Sequence, residues 1–417
     1  MKVYKFGGAS VKDASNVKNV GHVLQTIGYD DCLIIASAMG KTTNALELVV
    51  HNYFQNRFDL AESVAEVKSF HLSIIQDLFT DTSHPIYHRL DEMFDEITYF
   101  LLNNKSPNYN FVYDQIVSYG ELISTTILHY YLEASGVKNV WADARSLIKT
   151  DTTYRDANVN WETTQEAIQE QICTKQLYVT QGFIGSDPNG FATTLGREGS
   201  DYSAAIFAYA LQAESVTIWK DVPGVLNADP RYFDETILLE HISYQEAIEL
   251  AFYGASVIHP KTLQPLRQKE IPLYVKSFIN PTLSGTQVSK GAALQPQVPC
   301  FIVKKNQLLI SLSSKDFSFI LEENISEIFK LLHQYNIKVS VIQNSAISFS
   351  VCVEDKFNHF GALKQALDNK FKVSYNENVS LYTIRHFEPH SADQVLKNNT
   401  LLLKQVNRET MQIVTKE

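Results

Sequence analysis

Two hydrophobic periods alternate along the first 300 residues of the chain. The apolar run at Met1–Tyr4 predicts a strand, the spacing over Asn16–Ile27 a helix, and CLIIASAM, from Cys32, a second strand. Residues 51–110 change character: QNRFDLAESVAEVKSFHLSIIQDLF and IYHRLDEMFDEITYFLLNN carry helical spacing with few breakers and predict an all-helical insertion. Alternation then resumes. IVSYGELISTTILHYYLEASG reads as one helix, NVWADA, QLYVTQGFIG and SVTIWKDV as strands, and DYSAAIFAYALQ as the helix between the last two. Repeated strand–helix alternation implies a mainly parallel sheet flanked by helices, an α/β fold.

Periodicity lapses in SKGAALQPQVPC, residues 289–300, where Pro and Gly accumulate, and a domain boundary is expected there, with the first domain spanning 1–295. Beyond it, QLLISLSS reads as a strand. Ile325, Ile328, Phe329 and Leu332 then recur at i, i+3, i+4 and i+7, one apolar helix face. With IKVSVIQ, AISFSVCVE, the helix FGALKQALDN and the strand VSLYTIRHF, the order is βαββαβ, a ferredoxin-like unit. A short helix, HSADQVLKNN, and a hairpin, TLLLKQVNRETMQIVTK, close the region 301–417.

Composition narrows the partners. The 417 residues carry a net charge of −10 with no Lys/Arg-rich run, which speaks against nucleic acid. Cys32, Cys173, Cys300 and Cys352 are scattered without a CxxC pair, as expected for a reducing compartment without a zinc site. No apolar run approaches the ~18 residues of a membrane span, and the chain opens directly on a strand. No membrane partner and a cytoplasmic location are expected.

The candidate chemistry lies at strand ends. In KFGGAS, Lys5 stands beside the break Gly7-Gly8, where backbone approaches closely and N–H groups with a cation favour an anion. A P-loop is excluded, since GKT at Gly40–Thr42 has Ile35 where the earlier glycine is required. GFATTLGREGSDYSAA sets Arg197, Ser200 and Asp201 in a tight loop before a helix. Ser200 and Asp201 could be mere caps, but Arg197 between glycine-rich turns suits a bidentate grip on carboxylate or phosphate. ASAMGKTTNAL, with Ser37 and Thr43, reads equally as a turn and cap. Glu121 in SYGELIST reads on helix grounds as a solvated face. WKDVPGVLNADPRYF, with Asp221, Asp229 and Arg231, reads as a long loop, and FYGASVIHPKT as a helix end.

In order, KFGGAS, SAMGKTTN, SYGELIST, TTLGREGSD, WKDVPGVLNADPR, GASVIHPKT and IPLYVKSFINPTLSGT resemble the aspartate kinases of the amino-acid kinase superfamily over about residues 2–290, and the C-terminal unit resembles their ACT regulatory region. The resemblance implies transfer of the ATP γ-phosphoryl group to the side-chain carboxylate of L-aspartate, the first step toward lysine, threonine and methionine. It implies catalytic roles for Lys5 and for Asp201, which orients it. Thr43, Glu121, Arg197 and Ser200 would bind substrate, with Glu121 on the α-ammonium. Gly7, Gly8, Ser37, Lys220, Asp221 and Arg231 would face the nucleotide. Magnesium would ride on the ATP phosphates with no dedicated protein ligand. A homodimer is expected, with an amino-acid effector at the ACT region, where QNSAIS, residues 343–348, is the candidate turn. The 117 residues after Cys300 are expected to form one full ACT unit and a reduced second.

The chain departs from the family at Ala9 (usually a hydroxyl residue), Glu198 (glycine), Lys220 (threonine), Leu226 (tyrosine) and Ser256 (lysine). These departures bear on nucleotide contacts more than on aspartate contacts. Two other readings stay open: a sister carboxylate kinase, and a non-catalytic amino-acid sensor on a kinase scaffold.

Overall fold

The computed structural model describes residues 1–255, 258–316, 318–397 and 399–416, and they group into two compact units. The first opens with β1 (Lys2–Phe6), α1 (Ala14–Ile27) and β2 (Cys32–Ala36). Four helices follow as the insertion: α2 (Thr42–Gln55), α3 (Leu60–Leu78), α4 (Pro85–Asn103) and α5 (Tyr109–Val117). Next come α6 (Tyr119–Ala134), β3 (Val140–Ala142), α7 (Ala144–Leu147), α8 (Trp161–Gln171), β4 (Leu177–Gln181), the hairpin β5 (Ile184–Ser186) and β6 (Ala192–Thr194), and α9 (Gly199–Leu211). The unit continues with β7 (Ser215–Lys220), β8 (His241–Ser243), the first half of α10 (Tyr244–Tyr253), α11 (Pro260–Lys269), β9 (Leu273–Ser277) and β10 (Thr286–Ser289).

Eight strands form one sheet in the order β3-β4-β2-β1-β7-β9-β10-β8, parallel except for the β9–β10 pair. The central strands β2 and β4 are buried at every position, as a sheet covered on both faces requires. The stretch expected as a single helix over 116–136 is two, α5 and α6, with Ser118 between them. α6 is buried continuously from Gly120 to Leu128, so the polar residues of that stretch face protein, not water. Phe6 stacks on Trp219 at 6.2 Å beneath the C-terminal ends of β1 and β7. In an open parallel sheet those carboxyl ends are where ligands bind.

The second unit contains β11 (Cys300–Ser314), α12 (Glu322–Gln334), β12 (Lys338–Asn344), β13 (Ser348–Glu354), α13 (Phe360–Asp368), β14 (Phe371–Arg385), α14 (Ser391–Leu396), β15 (Thr400–Val406) and β16 (Thr410–Lys416). Its antiparallel sheet runs β12-β13-β11-β14-β16-β15. β11 and β14, 15 residues each, pair along two successive stretches, Leu309–Ser314 with Phe371–Asn376 and Cys300–Lys304 with Leu381–Arg385. The first stretch joins β12, β13, α12 and α13 in the βαββαβ unit. The second joins α14 and the β15–β16 hairpin in a four-stranded, helix-poor companion.

The expected division at a single point gives way to an interleaved one. Residues 226–237 and 249–255 belong with the second unit. The reason is packing: Phe233 meets Phe301 at 5.2 Å between ring centroids, the Phe301 N–H donates to Asn227 O at 2.7 Å, and Arg385, 5% exposed, reaches Glu249 and Glu409. Among the described residues, no helix is long and apolar enough to cross a membrane.

Candidate active site

A cleft of about 560 Å³ opens at the carboxyl ends of β1, β2 and β7. Lys5 reaches it from β1, and its Nζ lies 2.7 Å from Asp201 Oδ1 in the first turn of α9, both side chains being almost wholly buried. Gly7 and Gly8 follow as the chain leaves the sheet. A Cβ on Gly8 would fall 2.8 Å from Ala38 O, and the Gly40 N–H donates to Gly8 O, so only glycine lets the loops after β1 and β2 approach this closely. A Cβ on Gly7 would lie 3.4 Å from Lys5 Nζ, so that face of the ammonium is kept clear.

Glu121 is 3% exposed, which corrects its reading as a solvated helix position. One carboxyl oxygen accepts the Ala38 N–H at 3.1 Å; the other is buried without a hydrogen-bond partner among the described residues. Burial pushes the Glu121 carboxyl up to about 8, against the opposing effects of that N–H and the Lys5 charge. A fully buried acid with one idle oxygen in a cleft is suited to an incoming cation.

Thr43 lines the cleft from the first turn of α2. Its neighbour Thr42 is occupied elsewhere: the hydroxyl donates to Met39 O at 2.6 Å and sits 3.3 Å from Nε2 of His71 on α3. Burial pushes His71 down to about 4, so the insertion braces this turn with a neutral imidazole.

The loop before α9 is held in left-handed backbone at Gly196 (φ 76°) and Glu198 (φ 54°), with the exposed Arg197 between them. Ser200 packs on Gly182 so closely that a Cβ there would lie 2.6 Å from the serine Cβ. Glu198 Oε2 is buried and unpartnered among the described residues.

Ser37 and Lys220 also line the cleft. Gly7, Asp221 and Arg231 do not appear on its wall. Arg231 is instead engaged bidentately by Asp229, with the shortest contact 2.6 Å, within the segment that belongs to the second unit. Position 256 lies outside the described residues. Tyr113, Arg155 and Phe183 line the cleft and were not anticipated. No local motif marks them, because two come from the helical insertion and the loop after α7, brought in only by tertiary packing.

Cations and carboxylates therefore alternate around a glycine-walled cleft at the N-terminus of a 13-residue helix. Such an arrangement can bind phosphate, hold a second anion beside it and neutralise charge moving between them. That chemistry suits phosphoryl transfer.

Residues 1–277 match the amino acid kinase family. The chain is 30% identical over 355 residues to lysine-sensitive aspartokinase 3 of Escherichia coli, covering 84% of this chain and 78% of that protein. It is 27% identical over 385 residues to bifunctional aspartokinase/homoserine dehydrogenase 1 of Arabidopsis thaliana, covering 89% of this chain but 42% of that longer protein. The crystal structure of E. coli aspartokinase III in complex with aspartate and ADP superimposes with a TM-score of 0.80 at 26% identity, covering all of this chain and 96% of that one. The chain belongs to the amino acid kinase family, in its aspartokinase branch. Its first unit has the amino-acid kinase fold with a helical insertion, and its second is a ferredoxin-like, ACT-type region.

Proposed function

We infer that this chain is an aspartate kinase, transferring the γ-phosphoryl group of ATP to the β-carboxylate of L-aspartate and forming 4-phospho-L-aspartate and ADP. The observation that carries this reading is the buried Lys5–Asp201 pair at 2.7 Å in the same cleft as the idle carboxyl oxygen of Glu121. A protein that only sensed an amino acid would have no use for an ammonium at the phosphate end of the cleft.

In this mechanism a carboxylate oxygen of aspartate attacks the γ-phosphorus as the bond to the bridging oxygen of ADP breaks. A carboxylate with a pKa near ~4 is already ionised at neutral pH, so no general base is required. Lys5 neutralises charge on the transferring group, and Asp201 fixes its ammonium in place. Gly7 and Gly8 admit the phosphates, with Ser37, Lys220 and Asp221 on the nucleotide side. Arg197, Ser200 and Thr43 hold aspartate, and Glu121 takes its α-ammonium. Among the described residues no group of three or more His, Cys, Asp or Glu side chains is placed to hold a metal. Magnesium would arrive on the ATP phosphates, where it supplies further charge neutralisation.

The second unit would carry an amino-acid effector and the contacts of a homodimer, with the turn QNSAIS, residues 343–348, as the effector position. Isothermal titration with lysine, threonine and methionine tests the effector, and sedimentation tests the dimer. The catalytic reading is tested by trapping the acyl phosphate with hydroxylamine in the presence of Mg-ATP and L-aspartate, N-acetylglutamate or glutamate. Aspartate-dependent hydroxamate is expected. Signal only with another acid changes the substrate, and none from folded protein refutes catalysis.

A further inference from the structure

We propose that Arg155 is a second substrate-binding guanidinium in the cleft, closing with Arg197 on the α-carboxylate of the acceptor amino acid; this rests on the kinase reading above. Arg155 sits in the loop after α7, in left-handed backbone (φ 72°) that a side-chain-bearing residue seldom occupies. Its conformation is imposed from below. The Arg155 N–H donates to both oxygens of Asp114, at 3.2 and 3.0 Å, and the same carboxylate accepts the N–H (2.9 Å) and hydroxyl (2.8 Å) of Thr194. Asp114 is fully buried, so α5, the Arg155 loop and β6 are fastened at one point.

Thr194 is the last residue of β6, three positions before Arg197, and the Ala157 N–H donates to Thr194 O at 2.9 Å. The Arg155–Asp156 segment also abuts Gly196: a Cβ there would meet Asp156 Oδ1 at 2.4 Å and Arg155 O at 3.4 Å. The two arginines are thus presented by loops that share an anchor and touch. The Arg155 guanidinium lies over Tyr113, with Cζ 4.2 Å from the ring centroid, and Tyr113 is held in turn by Glu47 through a 2.7 Å hydrogen bond.

The side chain is therefore preoriented, yet among the described residues neither the Arg155 nor the Arg197 guanidinium donates a hydrogen bond to a carboxylate or carbonyl; Arg155 rests on Tyr113 and Tyr109 and acts on the Asp114 carboxylate only through space. Lys5, in contrast, is held in place by an ion pair with Asp201. Two guanidinium groups lining one cleft without a hydrogen-bonded carboxylate, with the buried Glu121 carboxyl also there, match the carboxylate and ammonium of an α-amino acid. A grip on the reacting carboxylate would blunt its nucleophilicity, which assigns the pair to the non-reacting one.

The experiment compares wild type with Arg155→Gly and Arg155→Lys in an ADP-release assay, alongside thermal unfolding. Glycine keeps the backbone N–H to Asp114 and suits the left-handed conformation, so the melting temperature should hold or rise. The KM for aspartate should rise about tenfold, as for loss of one charged hydrogen bond. The KM for ATP should stay within about twofold, and Arg155→Lys should recover part of the affinity. An unchanged aspartate KM, a rise in ATP KM instead, or a loss that follows a lowered melting temperature would overturn the assignment while leaving the kinase reading intact. No turnover of aspartate by wild type would remove both.

Discussion

Replacing Glu121 with glutamine examines how a buried acid can recognise an ammonium ion. In the free protein the carboxyl titrates at about 8 instead of 4.5, because desolvation outweighs the Ala38 N–H and the Lys5 charge. That is roughly 5 kcal/mol of preference for the neutral acid. At pH 7 about one molecule in ten carries the carboxylate, and at pH 6 about one in a hundred. If the ionised form is the one that accepts the α-ammonium, the KM for aspartate should fall about tenfold per pH unit between 6 and 8, then flatten. Initial rates at saturating Mg-ATP report this, with calorimetry in two buffers to count the proton released on binding. Glu121→Gln should raise the KM at pH 8 and abolish its pH dependence. Stability should move the other way. A raised native pKa favours the protonated folded state, so the stabilisation is complete below about 4.5 and is lost as pH rises through about 8. The glutamine variant lacks this loss and should out-melt wild type at pH 9. A flat KM from pH 6 to 8, or a variant with the wild-type profile, would refute the reasoning.

Two other substitutions follow from the same cleft. Lys5→Met should lower kcat by at least about 10³-fold and, by leaving Asp201 buried without its counter-charge, cost about 3 kcal/mol in denaturant unfolding. Adding Asp201→Asn should restore stability but not turnover; recovery of activity would contradict the role given to the ammonium. Glu198→Gly relieves left-handed backbone and removes a buried, idle carboxyl oxygen, so stability should rise by about 1 kcal/mol. A fall would mean that Glu198 makes a stabilising contribution beyond its backbone conformation.

What could be read along the chain was what is local. Lys5, Gly8, Arg197, Ser200 and Asp201 all sit where a strand ends or a helix begins, and their residue types announce an anion site before any tertiary contact is known. Glu121 was harder, because helix periodicity places a lone glutamate in water; its burial depends on α6 being covered on every side. Arg155 and Tyr113 had no local signature at all, since their place in the cleft is set by the Asp114 anchor, whose partners lie 41 and 80 residues away. The same holds for residues 226–237. Their turn chemistry is evident in the sequence, but their allegiance to the second unit comes from Phe233 meeting Phe301.

The shared strands of the second unit have a topological consequence. Lys304 faces Leu381 and Gln307 faces Val379 across the β11–β14 ladder, so the chain enters and leaves the βαββαβ portion at neighbouring points. That portion is, in effect, an oversized hairpin loop grown from the end of a smaller sheet. Insertions, deletions or wholesale exchange within it leave the ladder between residues 300–304 and 381–385 in register. A stop between β14 and β16 instead removes the strand that pairs with β14 and leaves β15 without a neighbour, while leaving the inserted portion whole. The nesting therefore gives the two portions unequal exposure to genetic change, with the interior one free to diversify and the smaller sheet dependent on β15 and β16.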